Sequence, residues 1–329
     1  MASSSPARTS ALRGVGGNSR SGLLDLVRLF ASFDIVAYHT GAALGDNSAF
    51  RLGIGIAIFL IMNAVSVGNF EGERSFFRFL SERSKRYLTP FLFWYVVYAV
   101  LQTLLALRHD ATPFGWFEPR MLWQGTYYHL WFMPVALGLS LATELLRRAT
   151  RNVSDGACVA TILLISPLLL YVGPGWLRSF ASRGWYPWVW IIPAVPFGVA
   201  FGRLLALPRT PHWNSLILGF AGTFAAMGVG VWQVVHDTYP LRYAVGAILI
   251  GLGFAVSIPS NAHLFRLRTL SVGIFLCHPL VLRTLLRFFE QLPLPLTVAI
   301  VWCLSGCLTL ALLQTRLARF AGEPPAKQP

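Results

Sequence analysis

The sequence predicts an all-α, polytopic integral membrane protein with about ten transmembrane helices. Three observations predict it. Of 329 residues, 55% are hydrophobic and only 12% are charged, about half the charge of a soluble domain. The apolar residues gather in ten runs, most of them near the ~20 residues that a bilayer core requires. The runs lack period-two alternation, which selects helices over a barrel.

Residues 1–20 are rich in Ser, Gly and Arg, contain no apolar run and read as a disordered cytosolic tail. Residues 21–320 read as one transmembrane domain, and 321–329 as a short C-terminal tail. The first apolar stretch holds Asp25, Arg28 and Asp34 and has no small-residue cleavage site, so it is not a signal peptide. The spans are 23–44, 52–68, 88–108, 128–146, 156–173, 187–207, 213–235, 241–259, 269–289 and 295–316. Between the second and third lies a dense charge run, 69–87, read as a loop. Residues 174–187, rich in Trp and Tyr, read as an interfacial loop. Cys158, Cys277, Cys303 and Cys307 all fall in apolar runs without metal-ligand spacing. They read as buried small residues, free of disulfide and metal.

The net charge is +14, from 27 Lys and Arg against 13 Asp and Glu. The basic residues sit in short segments between spans and form no stripe, which points to membrane topology and away from nucleic acid. With a cytosolic N-terminus, eighteen of the 27 fall on the inner side and eight on the outer. That split places both termini in the cytoplasm of a multi-pass protein of the cell membrane.

Charge inside a bilayer is costly and marks function by default. The first span holds Asp25, Arg28, Asp34 and His39. At 100° per residue Arg28 and His39 lie within about 20° of each other, with Asp25 about 40° away and Asp34 on another face. A stripe therefore joins Asp25 and Arg28 to His39, about 16 Å further along. The bland alternative is two side chains snorkelling to opposite interfaces. His278 lies deep in the ninth span, followed by Pro279, which should disturb the helix there. Asn63 is a single polar group in the second span, suited to gluing helices or to lining a site. The run 69–87 brings Arg78, Arg83, Lys85 and Arg86 before the third span, as a topogenic cluster or as a site for a multiply charged anion.

These segments resemble the acyltransferase 3 family of integral-membrane acyltransferases. LLDLVRLFASFDIVAYH is similar to its opening motif, with Asp25, Arg28 and His39; SERSKRYLTPFLFWY supplies Arg83, Arg86 and Pro90. HLWFMP, from His129, and LSVGIFLCHPLV, ending its motif at His278, follow in the family's order. One departure is clear: Asn63, Ala64 and Val65 stand where the family has a Ser-Gly-Phe element. The resemblance implies transfer of an acyl group from a cytosolic acyl-CoA, most often acetyl-CoA, to a hydroxyl of a sugar, polysaccharide, glycolipid or secondary metabolite. Arg28, Arg83 and Arg86, with Arg78 and Lys85, are then expected to hold the CoA phosphates. His39 is expected to act as general base, since imidazole titrates near neutrality. His129, Trp131 and His278 are expected on the acceptor side, with no metal involved. The competing readings are a transporter or flippase of an anionic glycolipid, or a non-catalytic partner of a polysaccharide assembly complex.

The topology is tested by labelling single cysteines from outside the cell. Reagent should reach a probe at Asn47 and miss one at Ser5; the reverse pattern would overturn the orientation.

Overall fold

The computed structural model describes residues 21–45, 53–69, 75–181, 186–256, 258–259, 262–289, 292–315 and 317–321. The predicted tails at 1–20 and 322–329, and the probe sites Ser5 and Asn47, lie outside the described residues. So do 70–74 of the charge run, 182–185 of the interfacial segment and Arg51, Arg183 and Arg316 of the charge count.

The described residues are all-helical, with no strand. The helices are α1 (Gly22–Ala43), α2 (Ile54–Gly68), α3 (Phe76–Arg108), α4 (Met121–Gln124), α5 (Phe132–Ala149), α6 (Asp155–Ala181), α7 (Tyr186–Val189), α8 (Ile191–Ala206), α9 (Trp213–Val235), α10 (Thr238–Ala255), α11 (Ala262–Phe288) and α12 (Leu294–Leu313). A 3₁₀ turn, Ala318–Phe320, follows. Seven spans among the described residues are long and apolar enough to cross a membrane: α3, α6, α7 with α8, α9, α10, α11 and α12. The fold is that of a polytopic membrane protein. Three further helices coincide with predicted spans: α2 has only 15 residues, and α1 and α5 carry charged groups.

Three expectations change. The segment 69–87 is not a loop from Ser75 onward. Ser75 caps α3 by accepting the Arg78 amide at 3.2 Å, and Arg78 pairs with Glu82 one turn on. The 33-residue α3 is therefore about 50 Å long, well beyond a bilayer core of about 30 Å. Its first turns are held by capping and charge pairing, which a hydropathy reading does not see. Likewise α6 continues through Pro174 to Ala181, where an interfacial loop was expected. Of the four cysteines, all free, only Cys158 and Cys277 are buried; Cys303 and Cys307 face outward from α12. An apolar run identifies a span but not which face of it meets protein.

The centre of the bundle is α2, which packs on α1, α5, α8 and α10. Close approach depends on small residues, as expected where lipid removes the hydrophobic gain from side-chain contact. A Cβ on Gly198 would collide with Ala64, and one on Gly202 with Gly68, so Ala64-xxx-Gly68 and Gly198-xxx-Gly202 form the α2–α8 seam. A Cβ on Gly55 would meet the Ala31 carbonyl, fixing α2 against α1.

Asp34 explains its own departure from the charged stripe. Its carboxylate accepts the Gly55 amide at 2.8 Å, at the start of α2. The Ile54 and Gly53 amides and the Arg242 guanidinium also act on it. It caps a neighbouring helix where the helix dipole favours an anion. Gly53 adopts φ +64°, and the Arg242 guanidinium covers it at about 3.0 Å from where a Cβ would sit.

Asp34→Ala would strand the Gly55 amide and remove the anion facing Arg242. The expected loss is about 1–3 kcal/mol, read as a lower unfolding midpoint in detergent. Asp34→Asn, which keeps an acceptor oxygen, should lose less; equal stability of all three proteins would refute the cap.

Candidate active site

The site begins with a helix defect. Pro279 lies inside α11, and a proline offers no N–H to the carbonyl four residues back. That carbonyl, Phe275 O, is taken instead by His278 Nδ1 at 2.8 Å. The next carbonyl, Leu276 O, receives the Tyr98 hydroxyl at 2.9 Å and His129 Nε2 at 3.0 Å. A carbonyl only accepts, so His278 carries its proton on Nδ1 and His129 on Nε2. Their other nitrogens, His278 Nε2 and His129 Nδ1, are buried acceptors without a hydrogen-bond partner among the described residues. His129 is not on a helix; it sits in the turn before α5, folded inward until 1% of its surface remains exposed.

His39 completes the cluster. Its ring stacks on His278 with centroids 5.2 Å apart, and His129 meets His278 edge-on at 5.5 Å. Tyr128 lies 4.7 Å from His39, and Tyr38 5.5 Å. His129 and His278 are fully enclosed, whereas His39 is only half-buried. It is the most exposed imidazole of the three. Among the described residues no three His, Cys, Asp or Glu side chains are placed to share a metal ion; the three rings stack and abut, so their nitrogens do not converge.

A cavity of about 870 Å³ opens among the N-terminal part of α1, the C-terminal part of α2, and α3, α5, α10 and α11. This is a size typical of ligand sites. Its lining includes the charged residues Asp25, Arg28, Glu82, Lys85, Arg86 and Arg319 and the apolar residues Phe59, Met62, Phe132 and Met133. Four cations thus face two carboxylates. Glu82 is also matched by Arg78, whose side chain is 76% exposed. Of the basic residues expected to act together, Arg28, Lys85 and Arg86 line the cavity. Arg78 and Arg83 do not; Arg83 packs its guanidinium over Phe79 at 5.5 Å.

Arg319 was not foreseen in the site, and Asn63, read as suited to gluing helices or to lining a site, does both. Arg319 was counted only toward topology. It reaches the cavity because the 3₁₀ turn is pinned to α3, by Trp94 Nε1 donating to Phe320 O at 3.1 Å and by Phe93 stacking on Phe320 at 4.6 Å. Asn63, noted as a departure from the family pattern, proves to be a joint of three helices in the cavity wall. Its Oδ1 accepts the Tyr87 hydroxyl at 2.9 Å and the Ser140 hydroxyl at 3.2 Å, and its Nδ2 donates to Ala136 O at 2.9 Å.

The histidines and the cavity are separated by one aromatic layer. Phe132 lies 6.0 Å from Phe59 and 5.1 Å from Phe275, and Phe275 lies 5.6 Å from His129 and 6.1 Å from His278. Trp131, expected on the acceptor side, turns to Tyr186 at 6.3 Å. A second, smaller cavity of about 200 Å³ adjoins the cluster, lined by Ala43, Tyr127, Tyr128, Pro279, Leu282, Arg283 and Leu286.

A family model described as an acyltransferase domain matches residues 22–313, nearly the whole chain. No curated protein and no solved structure shows a significant match.

Proposed function

The chain belongs to the acyltransferase 3 family, and from that premise we propose that it is an O-acyltransferase of the cell membrane. It moves an acyl group, most simply acetyl, from cytosolic acyl-CoA to a hydroxyl of a sugar, polysaccharide, glycolipid or secondary metabolite. One observation carries this reading: a cavity lined by Arg28, Lys85, Arg86 and Arg319 is connected through Phe132 and Phe275 to His129 and His278, and the half-buried His39 stacks on His278. A donor with phosphates at one end and a thioester at the other matches that arrangement.

In this reading ten helices cross the bilayer, both termini are cytoplasmic, and the cavity opens to the cytosol. Arg28, Lys85, Arg86 and Arg319 pair with the phosphates, with Arg83 and Arg78 adding to the field from behind. Charge-assisted hydrogen bonds to phosphate contribute about 1.5–3 kcal/mol each. A hydroxyl is a weak nucleophile at neutral pH and needs a base as it attacks. His39 takes the hydroxyl proton while the oxygen bonds to the thioester carbonyl carbon. The carbon–sulfur bond breaks, and the departing thiolate is protonated to give CoA. Tyr128 and Tyr38 lie beside the imidazolium that forms, and aromatic rings at this range favour a cation. His278 stacks on that ring and is itself met edge-on by His129. The acceptor approaches from the side of Tyr127, Tyr128 and Arg283.

Arg86→Ala should raise the apparent acetyl-CoA constant at unchanged membrane abundance, and Arg28→Lys should impair transfer because lysine lacks the planar fork. An unaltered donor constant in well-expressed Arg86→Ala would remove the phosphate role.

His39→Ala should lower transfer by about 10²–10⁴ while donor binding persists. Near-normal transfer by that variant at normal abundance would move the base elsewhere.

A further inference from the structure

Given the donor site just proposed, on which this inference rests, we propose that Phe132 sets the length of acyl group the protein accepts. Phe132 lines the same cavity as the residues assigned to the phosphates, and it is the lining ring that leads through Phe275 to the histidines, so a donor whose thioester is carried toward His39 must pass its acyl end along Phe132. That side of the cavity is walled by buried rings. Phe59 and Phe132 are each 8% exposed, and Phe275 behind them is 4% exposed. Phe132 is the central ring of the three, touching Phe59 on the cavity side and Phe275 on the histidine side. It also opens α5, three residues after His129, so its position is tied to the cluster itself.

Attack on the thioester carbonyl requires that carbon to lie near His39. The thioester must therefore be carried past this aromatic wall, and its alkyl chain must fit beside Phe132. A methyl group asks for little room there. Each further methylene meets the ring.

Removing the ring opens that space. A buried methylene favours binding by about fourfold, which is ~0.8 kcal/mol expressed as a ratio, so two methylenes correspond to about 15-fold. The test uses purified protein in nanodiscs, with radiolabelled acetyl-CoA displaced by unlabelled acetyl-, propionyl- and butyryl-CoA and by CoA itself. The quantity read is the potency of butyryl-CoA relative to acetyl-CoA. Phe132→Ala should raise it about 15-fold and Phe132→Leu, the milder change, about fourfold. Phe132→Trp should lower it. An unchanged ratio in folded Phe132→Ala or Phe132→Leu, with CoA still bound, overturns the proposal alone. Failure of the wild-type protein to bind CoA or any of the thioesters overturns the donor reading and this proposal with it.

Discussion

The candidate site depends on one absent hydrogen bond. Pro279 cannot donate to Phe275 O, so a carbonyl is left open in the middle of α11, where no water competes for it. His278 fills it from its own side chain. The adjacent Leu276 O then anchors Tyr98 from α3 and His129 from the turn before α5. Two carbonyls on one helix thus tie three segments together, fix two imidazole tautomers and leave each ring with an acceptor nitrogen that has no partner among the described residues. His39 stacks onto this assembly from α1. A polar cluster of this kind is costly in a bilayer unless its donors are matched, and the open carbonyls match them.

The same helices separate charge from imidazole. On α1, Asp25 and Arg28 belong to the cavity mouth, and His39 lies about 16 Å further along the same helix. Phe59, Phe132 and Phe275 fill the interval. In the proposed function, this arrangement would keep the phosphates away from the reacting centre while allowing one extended donor to touch both. Asn63 contributes by locking Tyr87 of α3 and Ser140 of α5 at the cavity wall.

Because lipid solvates apolar side chains as well as a protein interior does, the bundle relies on fit and polar matching. The α2–α8 seam of Ala64, Gly68, Gly198 and Gly202 brings backbones into contact, and Asp34 ties α1 to the start of α2. Tyr239 and Tyr243 donate to the Val189 and Trp190 carbonyls, where α7 breaks before α8. Arg203 gathers the Thr150 and Val153 carbonyls and Asp155 between α5 and α6. Each of these closes a backbone group that a helix end would otherwise expose.

The sequence by itself determined the all-helical class, the approximate place of each apolar helix and the alignment of Arg28 with His39. Those properties follow from composition and from the period of one helix. It also singled out His278 and Pro279 and the polar oddity of Asn63. It missed the first turns of α3, because capping and charge pairing build helix without hydropathy, and it missed the extension of α6. Only the tertiary structure decided that His129 and His278 join His39 and that Arg319 reaches the cavity while Arg78 points away. Only it showed that Asp34 serves another helix and that Cys303 and Cys307 face outward. Each of these depends on the rotation and register of one helix against its neighbours. In a bilayer no polar–apolar contrast between core and surface records that rotation in the sequence. It is set by where glycines let backbones touch and where stray carbonyls find donors.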